Sequence, residues 1–511
     1  VVASDAVPSG QAHEVIVLGG GPAGVAAALL LAGRGHDVAL VRPGPQPTGA
    51  LAQSIPPSAR KLLEEVGMLS HLEGAGFQPN GGNTVWWAGQ EARIEAFDEG
   101  AVGFHVDRAG LEAAMLPALL DAGVHVVEAT ARSARESESG WTVACRTEHG
   151  QALELRAPWL LDATGRRGLV ARSEGRKADR DTTTLAIVRR WRRPGGFPGV
   201  DPRHTLVESY ADGWSWSVPL DAEVRCFTAM VDQRHVSLAD ADLDRALDAE
   251  LDKAVRVGAV RAGAVPVGSA WACPASLYTA SRFARPGLLL VGDAGSFIDP
   301  LSSFGVKKAL SSGWLAAVAV HTALVDPPLG ATAVAFFDQR ERDVYRRYRA
   351  RSADFFEACA LAYGHEYWRA RAEAARVAGG RPGGPDSPGA DVHLDQEVPE
   401  GEARRALDRI RALPSLNAVP GRSVRRAERP TVVGHRIRLA DHLASDDAPQ
   451  GLRFVRNVDL LRVLDVAPRY AQVPDGWAAY NAGGPAATLP DYLAALATAF
   501  AAGILEHADE G

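Results

Sequence analysis

Apolar residues form short unbroken runs near the start of the chain and fall at helical spacing further on. Glu14 to Leu18 (EVIVL) is a β-branched run without alternation, the pattern of a strand buried on both faces. It leads into GGGPAG and then VAAALLLAGRG, which predicts a helix, and a second run, DVALV, spans Asp37 to Val41. Two later runs have the same form: WLLDATGR after Pro158, and GLLLVGDAGSFIDPLSSFGVKKAL from Gly287 to Leu310, where a strand enters a Pro-bearing loop and then a helix. Ala331 to Val377 carries helical periodicity with aromatics at Phe355, Phe356, Tyr363, Tyr367 and Trp368. In Gly379 to Asp391 five Gly and three Pro fill thirteen positions, which predicts a surface linker. Beyond it the pattern is mixed: EARRALDRIRAL is helical, TVVGHRIRLAD strand-like, and LPDYLAALATAFAAGIL helical again.

Composition narrows the function classes. Hydrophobic residues at 46% and charged residues at 23% describe a globular chain, and 55 Lys+Arg against 62 Asp+Glu give a net charge of −7. Such a balance offers no bulk attraction to nucleic acid or an anionic membrane, so neither partner is expected. The apolar stretch Tyr492 to Leu505 is 14 residues, short of the ~18 that suggest a span. The opening VVASDAVPSGQA reads as a flexible lead-in, and no secretory signal is expected. Cys145, Cys226, Cys273 and Cys359 are too far apart for a CxxC pair, which points to reduced thiols, a cytoplasmic location and no metal centre.

Gly19, Gly21 and Gly24 stand in G-x-G-x-x-G spacing between the first strand and helix. Such glycines make the tight turn, let a pyrophosphate approach the backbone and allow close helix–strand packing, while the helix N-terminus faces the phosphates. The acid expected at the end of the second strand, for a ribose hydroxyl, is replaced by Val41-Arg42. The later motifs indicate FAD rather than NAD. Asp293 at a strand end can hydrogen-bond a ribityl chain, and Pro300 to Val306 can present N–H groups to a flavin's pyrimidine side.

The three motifs, in this order over residues 14 to about 320, resemble the FAD-dependent aromatic hydroxylases and halogenases that share the glutathione-reductase-like FAD fold. The resemblance implies that the glycine loop, the DATGR strand end with Gly165, and Gly292-Asp293 converge on one FAD, and that Arg108 packs near the flavin. Trp214-Ser215-Trp216-Ser217-Val218-Pro219 is a close variant of the halogenase W-x-W-x-I-P signature, and Phe297, Pro300, Ser303 and Gly305 match F-x-x-P-x-x-S-x-G. The implied fold is α/β: a Rossmann-like FAD-binding domain at 13–330 with an inserted β-sheet substrate domain at about 75–110 and 180–280. A helical cover at 331–378, a flexible linker at 379–400 and a C-terminal α/β or helical accessory module at 401–511 complete it.

In halogenases of this branch halide attacks the flavin hydroperoxide, and a lysine then directs the hypohalous acid. In phenol-acting members that lysine lies in F-x-x-K-x-G-G-T-F-x-W-G. The comparable stretch here runs from Phe77 to Trp87, with Asn80 in the lysine's place, and Asn has no charge to offer. Lys61, the nearest lysine in sequence, lies in an amphipathic helix whose charges face water. The resemblance therefore implies a monooxygenase that hydroxylates an electron-rich aromatic, of tryptophan, phenol or pyrrole type, through the flavin C4a-hydroperoxide. The substrate is a small molecule or is peptidyl or carrier-bound, and peptidyl tryptophan in quinone-cofactor maturation is one candidate. Halogenation is the alternative. The D-G pair of single-component hydroxylases is missing from DATGRRGLVAR, which implies a separate flavin reductase. Trp214, Trp216, Asn80 and His105 are the candidate catalytic residues. His105 and Asp107, on one face of a strand, could form a base. Glu208 is a further candidate for the pocket, and one of the Lys307-Lys308 pair, at a helix start, is a candidate for the flavin's N1–O2 locus, with a surface role the alternative.

Overall fold

In the computed structural model, which describes residues 11–44, 51–97, 102–178, 182–235, 242–302, 304–379, 398 and 400–508, the run Val15–Leu18 is an interior strand of the nucleotide-type sheet. The strand order is Ala284–Arg285, Leu288–Leu290, Trp159–Asp162, Val15–Leu18, Val38–Arg42, His125–Glu128. All pairings are parallel except the first, which closes one edge as an antiparallel turn. The unbroken apolar runs follow from burial on both faces. On one side Ile16, Leu18, Ala39 and Val41 pack with Trp141, Val143 and Leu155 of an antiparallel sheet. On the other lies the helix Pro22–Ala32, which packs along Gly305–Val325. Gly305–Val325 is long and apolar enough to cross a membrane, but 72% of its apolar window is buried inside the protein.

A second sheet carries the order Val265–Pro274, Thr184–Arg192, Val224–Asp232, Gly213–Pro219, His204–Tyr210, Gly82–Trp86, Arg93–Ala96. The period of two decides what each face meets. Leu185 and Ile187 pack with Leu247, Leu251 and Val257 of two helices, whereas Ala186 and Val188 turn to the opposite core with Trp214, Trp216, Phe356 and Trp368. The last two come from the helices Pro327–Tyr363 and Glu366–Gly379, which cover this face. A small antiparallel sheet has the order Ala52–Ile55, Gly103–Asp107, Gln78–Asn80.

The chain divides into two compact units, Val1–Asp391 and Val392–Gly511. The second has its own core, in which Leu443, Val458, Leu460, Val463, Leu496 and Ile504 are buried. EARRALDRIRAL is helical, within Glu400–Ala412. TVVGHRIRLAD is not one strand but the turn of a hairpin, Arg425–Val433 with Arg436–Ala444, reversing at Gly434 with φ +60°. The expected linker, apart from Gly379, Val398 and Glu400, lies outside the described residues.

Candidate active site

Glycine at two positions sets the shape of the first loop. Gly19 has φ +113°, and a Cβ on it would collide with the Ala163 carbonyl, while one on Gly24 would collide with the Gly19 carbonyl. The loop is thus pressed onto the end of the DATGR strand. That strand end is itself fixed by Asp162, which is fully buried. Asp162 accepts from Thr164 Oγ1 (2.6 Å) and from the Val170 (2.7 Å) and Ala171 (3.0 Å) amides. Gly21 caps Pro22–Ala32 in an extended conformation with Pro22 at the first turn, so the helix N-terminus opens outward.

Two connected spaces meet at this point. A groove of about 200 Å³ is lined by Gly19–Gly21, Val41–Pro43, Arg108, Ala129–Ala131 and Gly165. A cavity of about 390 Å³ shares Gly21, Arg108, Ala163, Thr164 and Gly165 with it, and continues to Asp293, Pro300, Gly305, Val306, Trp214 and Trp216. Gly19, Gly21, Arg108, Gly165, Asp293, Pro300, Gly305 and Val306 line these two spaces, as does Arg42, which is buried in the groove at the end of the second strand, whereas Gly24 packs against Gly19 behind the loop and lines neither. Ser303 lies outside the described residues. An elongated site with a glycine cradle and a helix N-terminus at one end and apolar walls at the other fits a flavin dinucleotide.

Beneath the cavity floor, Lys308 is buried and donates from Nζ to the Gly292 carbonyl (3.2 Å), the Ser296 carbonyl and Asp293 Oδ1 (3.3 Å). The Asp293 carbonyl accepts from Tyr278 (2.6 Å). Lys308 thus holds the Asp293 turn from below rather than entering the site, and Lys307 donates to Ser58. Burial pushes the Glu341 carboxyl up to about 7, opposed by the Lys308 ammonium.

The strand Gly213–Pro219 is buried throughout, and its two tryptophans share the cavity face with stacked rings 4.9 Å apart. Trp87 meets Trp214 edge-on at 6.0 Å. Trp271, Val207, Val218, Ala186 and Ala275 extend this apolar wall. One carboxyl was missed by the sequence reasoning: Asp299, inside the Phe297–Gly305 motif, lines the cavity. Burial pushes it up to about 6, against the Leu301 amide, which donates to Oδ1, and the Arg371 guanidinium. Its position just before Pro300 in the flavin loop was the available signal.

Other expected residues lie elsewhere. Among the described residues, neither Asn80 nor His105 lines the cavity. Asn80, 2% exposed, donates from Nδ2 to the Ile55 carbonyl and accepts the Gly82 amide on Oδ1, both at 3.3 Å. The expected His105–Asp107 base is not formed. Asp107 instead caps Arg108–Asp121 by accepting the Gly110 amide (2.6 Å), because the strand ends where that helix starts. His105 Nε2 donates to the Arg203 carbonyl (2.9 Å), which leaves Nδ1 to accept from Ser54 (3.1 Å), and Ser54 in turn bonds Thr205 (2.6 Å). Ser54 and Thr205 reach the cavity wall, so His105 touches the site only through them. Burial drives its imidazole down to about 3. Glu208 is likewise structural: it accepts the Arg256 (2.8 Å) and Val257 (2.7 Å) amides at the start of a short helix. Lys61 is exposed in the helix Arg60–Glu65.

Residues 90–376 match the tryptophan halogenase family and residues 14–55 an FAD-binding domain. The chain belongs to the tryptophan halogenase family, as a flavin-dependent enzyme whose cofactor is FAD. It is 28% identical over 365 residues to a tryptophan 2-halogenase of Chondromyces crocatus, covering 67% of this chain and 68% of that one. The fold is shared with the flavin-dependent halogenase CmlS, with a TM-score of 0.77 and 19% identity over 97% of this chain and 96% of that one. It is also shared with the peptidyl tryptophan dihydroxylase QhpG, with a TM-score of 0.64 and 23% identity over 93% and 96%.

Proposed function

We propose that this enzyme is a monooxygenase that hydroxylates an electron-rich aromatic ring. The observation carrying this reading is the absence of any lysine among the described residues lining the cavity. The residue in the family lysine's place, Asn80, is neutral, buried and hydrogen-bonded to backbone. Reduced FAD supplies the activation of O₂. The chain's own residues do the rest. The glycine loop and helix N-terminus would hold the dinucleotide, the Lys308-supported Asp293 turn would contact it from the cavity floor, and Trp214, Trp216 and Trp271 exclude water and offer faces to an aromatic ring. Of the two carboxyls lining the cavity among the described residues, Asp293 is paired with Lys308, and Asp299 is able to take a ring proton once it is ionised, above about pH 6. The missing D-G pair in DATGRRGLVAR supports delivery of reduced flavin by a separate reductase. Halogenation is the second reading, favoured by the named activity of the Chondromyces relative. Incubation of indole, phenol and pyrrole substrates, free and within peptides, with reductase, NADH and ¹⁸O₂ tests the proposal: labelled oxygen should enter one of these classes. Unlabelled product, or rapid flavin reduction by NADPH without a partner, would contradict it.

A further inference from the structure

At the foot of the nucleotide-type sheet, at the opposite end of the strands from the glycine loop, two strand entries carry reciprocal pairs. His13-Glu14 precedes Val15–Leu18 and His36-Asp37 precedes Val38–Arg42. Each histidine is held by the other strand's acid: His13 Nδ1 lies 2.9 Å from Asp37 Oδ1, and His36 Nδ1 lies 3.5 Å from Glu14 Oε2. The Asp37 amide donates to Glu14 Oε2 at 2.9 Å and ties the two pairs together. A carboxylate at Nδ1 fixes the tautomer, placing the proton there and leaving a lone pair on Nε2.

Each Nε2 then meets a second imidazole. His36 Nε2 lies 2.9 Å from His321 Nδ1, a hydrogen-bond separation between two largely buried rings. The other pair is different. His13 Nε2 and His125 Nδ1 are 3.3 Å apart, with rings tilted by 37°, and His125 is exposed at the start of the outermost strand. That is within hydrogen-bond reach but longer than the 2.9 Å of the first pair. It equals the edge of a tetrahedron about an ion bound at about 2.0 Å, roughly 3.3 Å. Carboxylate–imidazole–metal is the usual way a ligating histidine is oriented, and Asp37 already occupies the outer position.

We propose that His13 and His125 form a site for a borderline divalent cation of the Zn²⁺ class, with Asp37 orienting His13 and water completing the coordination. Imidazole ligands select such ions over Mg²⁺ and Ca²⁺, which take oxygen ligands. Among the described residues no group of three or more His, Cys, Asp or Glu converges to hold a metal, so this is an open two-imidazole site. The ion would join the lead-in to the first strand to the first residue of His125–Glu128, with the strand Val38–Arg42 between them. Binding should therefore raise the thermal midpoint.

The test is calorimetric titration of the FAD-loaded full chain with Zn²⁺ alone and Mg²⁺ alone, with thermal melts alongside. Zn²⁺ should bind and raise the midpoint, whereas Mg²⁺ should do neither. His125→Ala, at an exposed position, and His13→Ala should each weaken Zn²⁺ binding at least tenfold, with Asp37→Asn weakening it less. Bound flavin absorbance should be unchanged in His125→Ala, which shows that the fold and the flavin site are intact. Equal Zn²⁺ affinity in the wild type and His125→Ala, or no binding up to millimolar Zn²⁺, would overturn the site and leave the pair as a long imidazole hydrogen bond.

Discussion

Lys308 Nζ lies 3.3 Å from Asp293 Oδ1, with the ammonium almost wholly buried and the carboxylate partly open to the cavity. A buried ammonium is tolerated only when its donors are met, and here two backbone carbonyls and a carboxylate meet them. The consequence is positional. The turn carrying Asp293 is fixed from below, so the carboxylate is held where the elongated site passes it.

Lys308→Met should accordingly damage both fold and cofactor binding. Removing one partner of a buried pair costs about 3–5 kcal/mol, and the freed Asp293 turn should lower FAD affinity more than tenfold. Denaturant unfolding and flavin titration read the two effects separately.

Glu341 gives stability a pH dependence. Its folded value is about 7 against an ordinary 4.5, so the folded state penalises the charged form. Below about pH 4.5 the group is protonated both folded and unfolded and costs nothing, and the stability present there is lost as pH rises to 7, reaching a penalty of about 3 kcal/mol at pH 8. Glu341→Gln should gain on the wild type between pH 5 and pH 8, as measured by urea unfolding at both. A constant difference across that window would contradict the assignment.

Gly21→Val separates flavin binding from folding. A Cβ at Gly21 meets only the mobile end of Arg108, in the space the dinucleotide needs, whereas Gly19→Ala would strike the Ala163 carbonyl. The Gly21 variant should fold and purify colourless, with the wild-type circular dichroism spectrum. The Gly19 variant should lose stability as well.

Asn80→Lys should not create a halogenase. Lysine cannot accept the Gly82 amide, and its ammonium would enter a site 2% exposed, so a loss of about 3 kcal/mol or more is expected. Thermal melts and product mass spectra should show a less stable enzyme with reduced hydroxylation and no halogenated product.

Much of the flavin half could be read from the chain because its signals are local. The apolar runs, Gly19, Gly21, Gly24 and Gly292-Asp293 each bring their own turn or strand end, and Gly19, Gly21 and Asp293 line the connected spaces of one site. Trp214 and Trp216 follow from the period of two. Contacts between distant segments were not legible. Asn80 bonding Ile55, Asp299 facing Arg371 and Lys308 beneath Asp293 depend on how sheets and helices pack. His105 and Asp107 failed as a pair for a local reason that outweighed their spacing: a strand that ends in a helix needs a cap, and Asp107 supplies it. TVVGHRIRLAD misled because its apolar alternation continues through the glycine that reverses the chain.

The central claim is oxygen transfer without halogen transfer, and competition between the two tests it most directly. The wild-type enzyme, with a flavin reductase, NADH and an accepted aromatic substrate, is incubated under ¹⁸O₂ in saturating chloride or bromide, and the products are resolved by mass spectrometry. The expected product carries one or more ¹⁸O atoms and is the same with and without halide. A chlorinated or brominated product, at a yield that rises with halide, would contradict the account and require another cation to take the place of the lysine missing at Asn80.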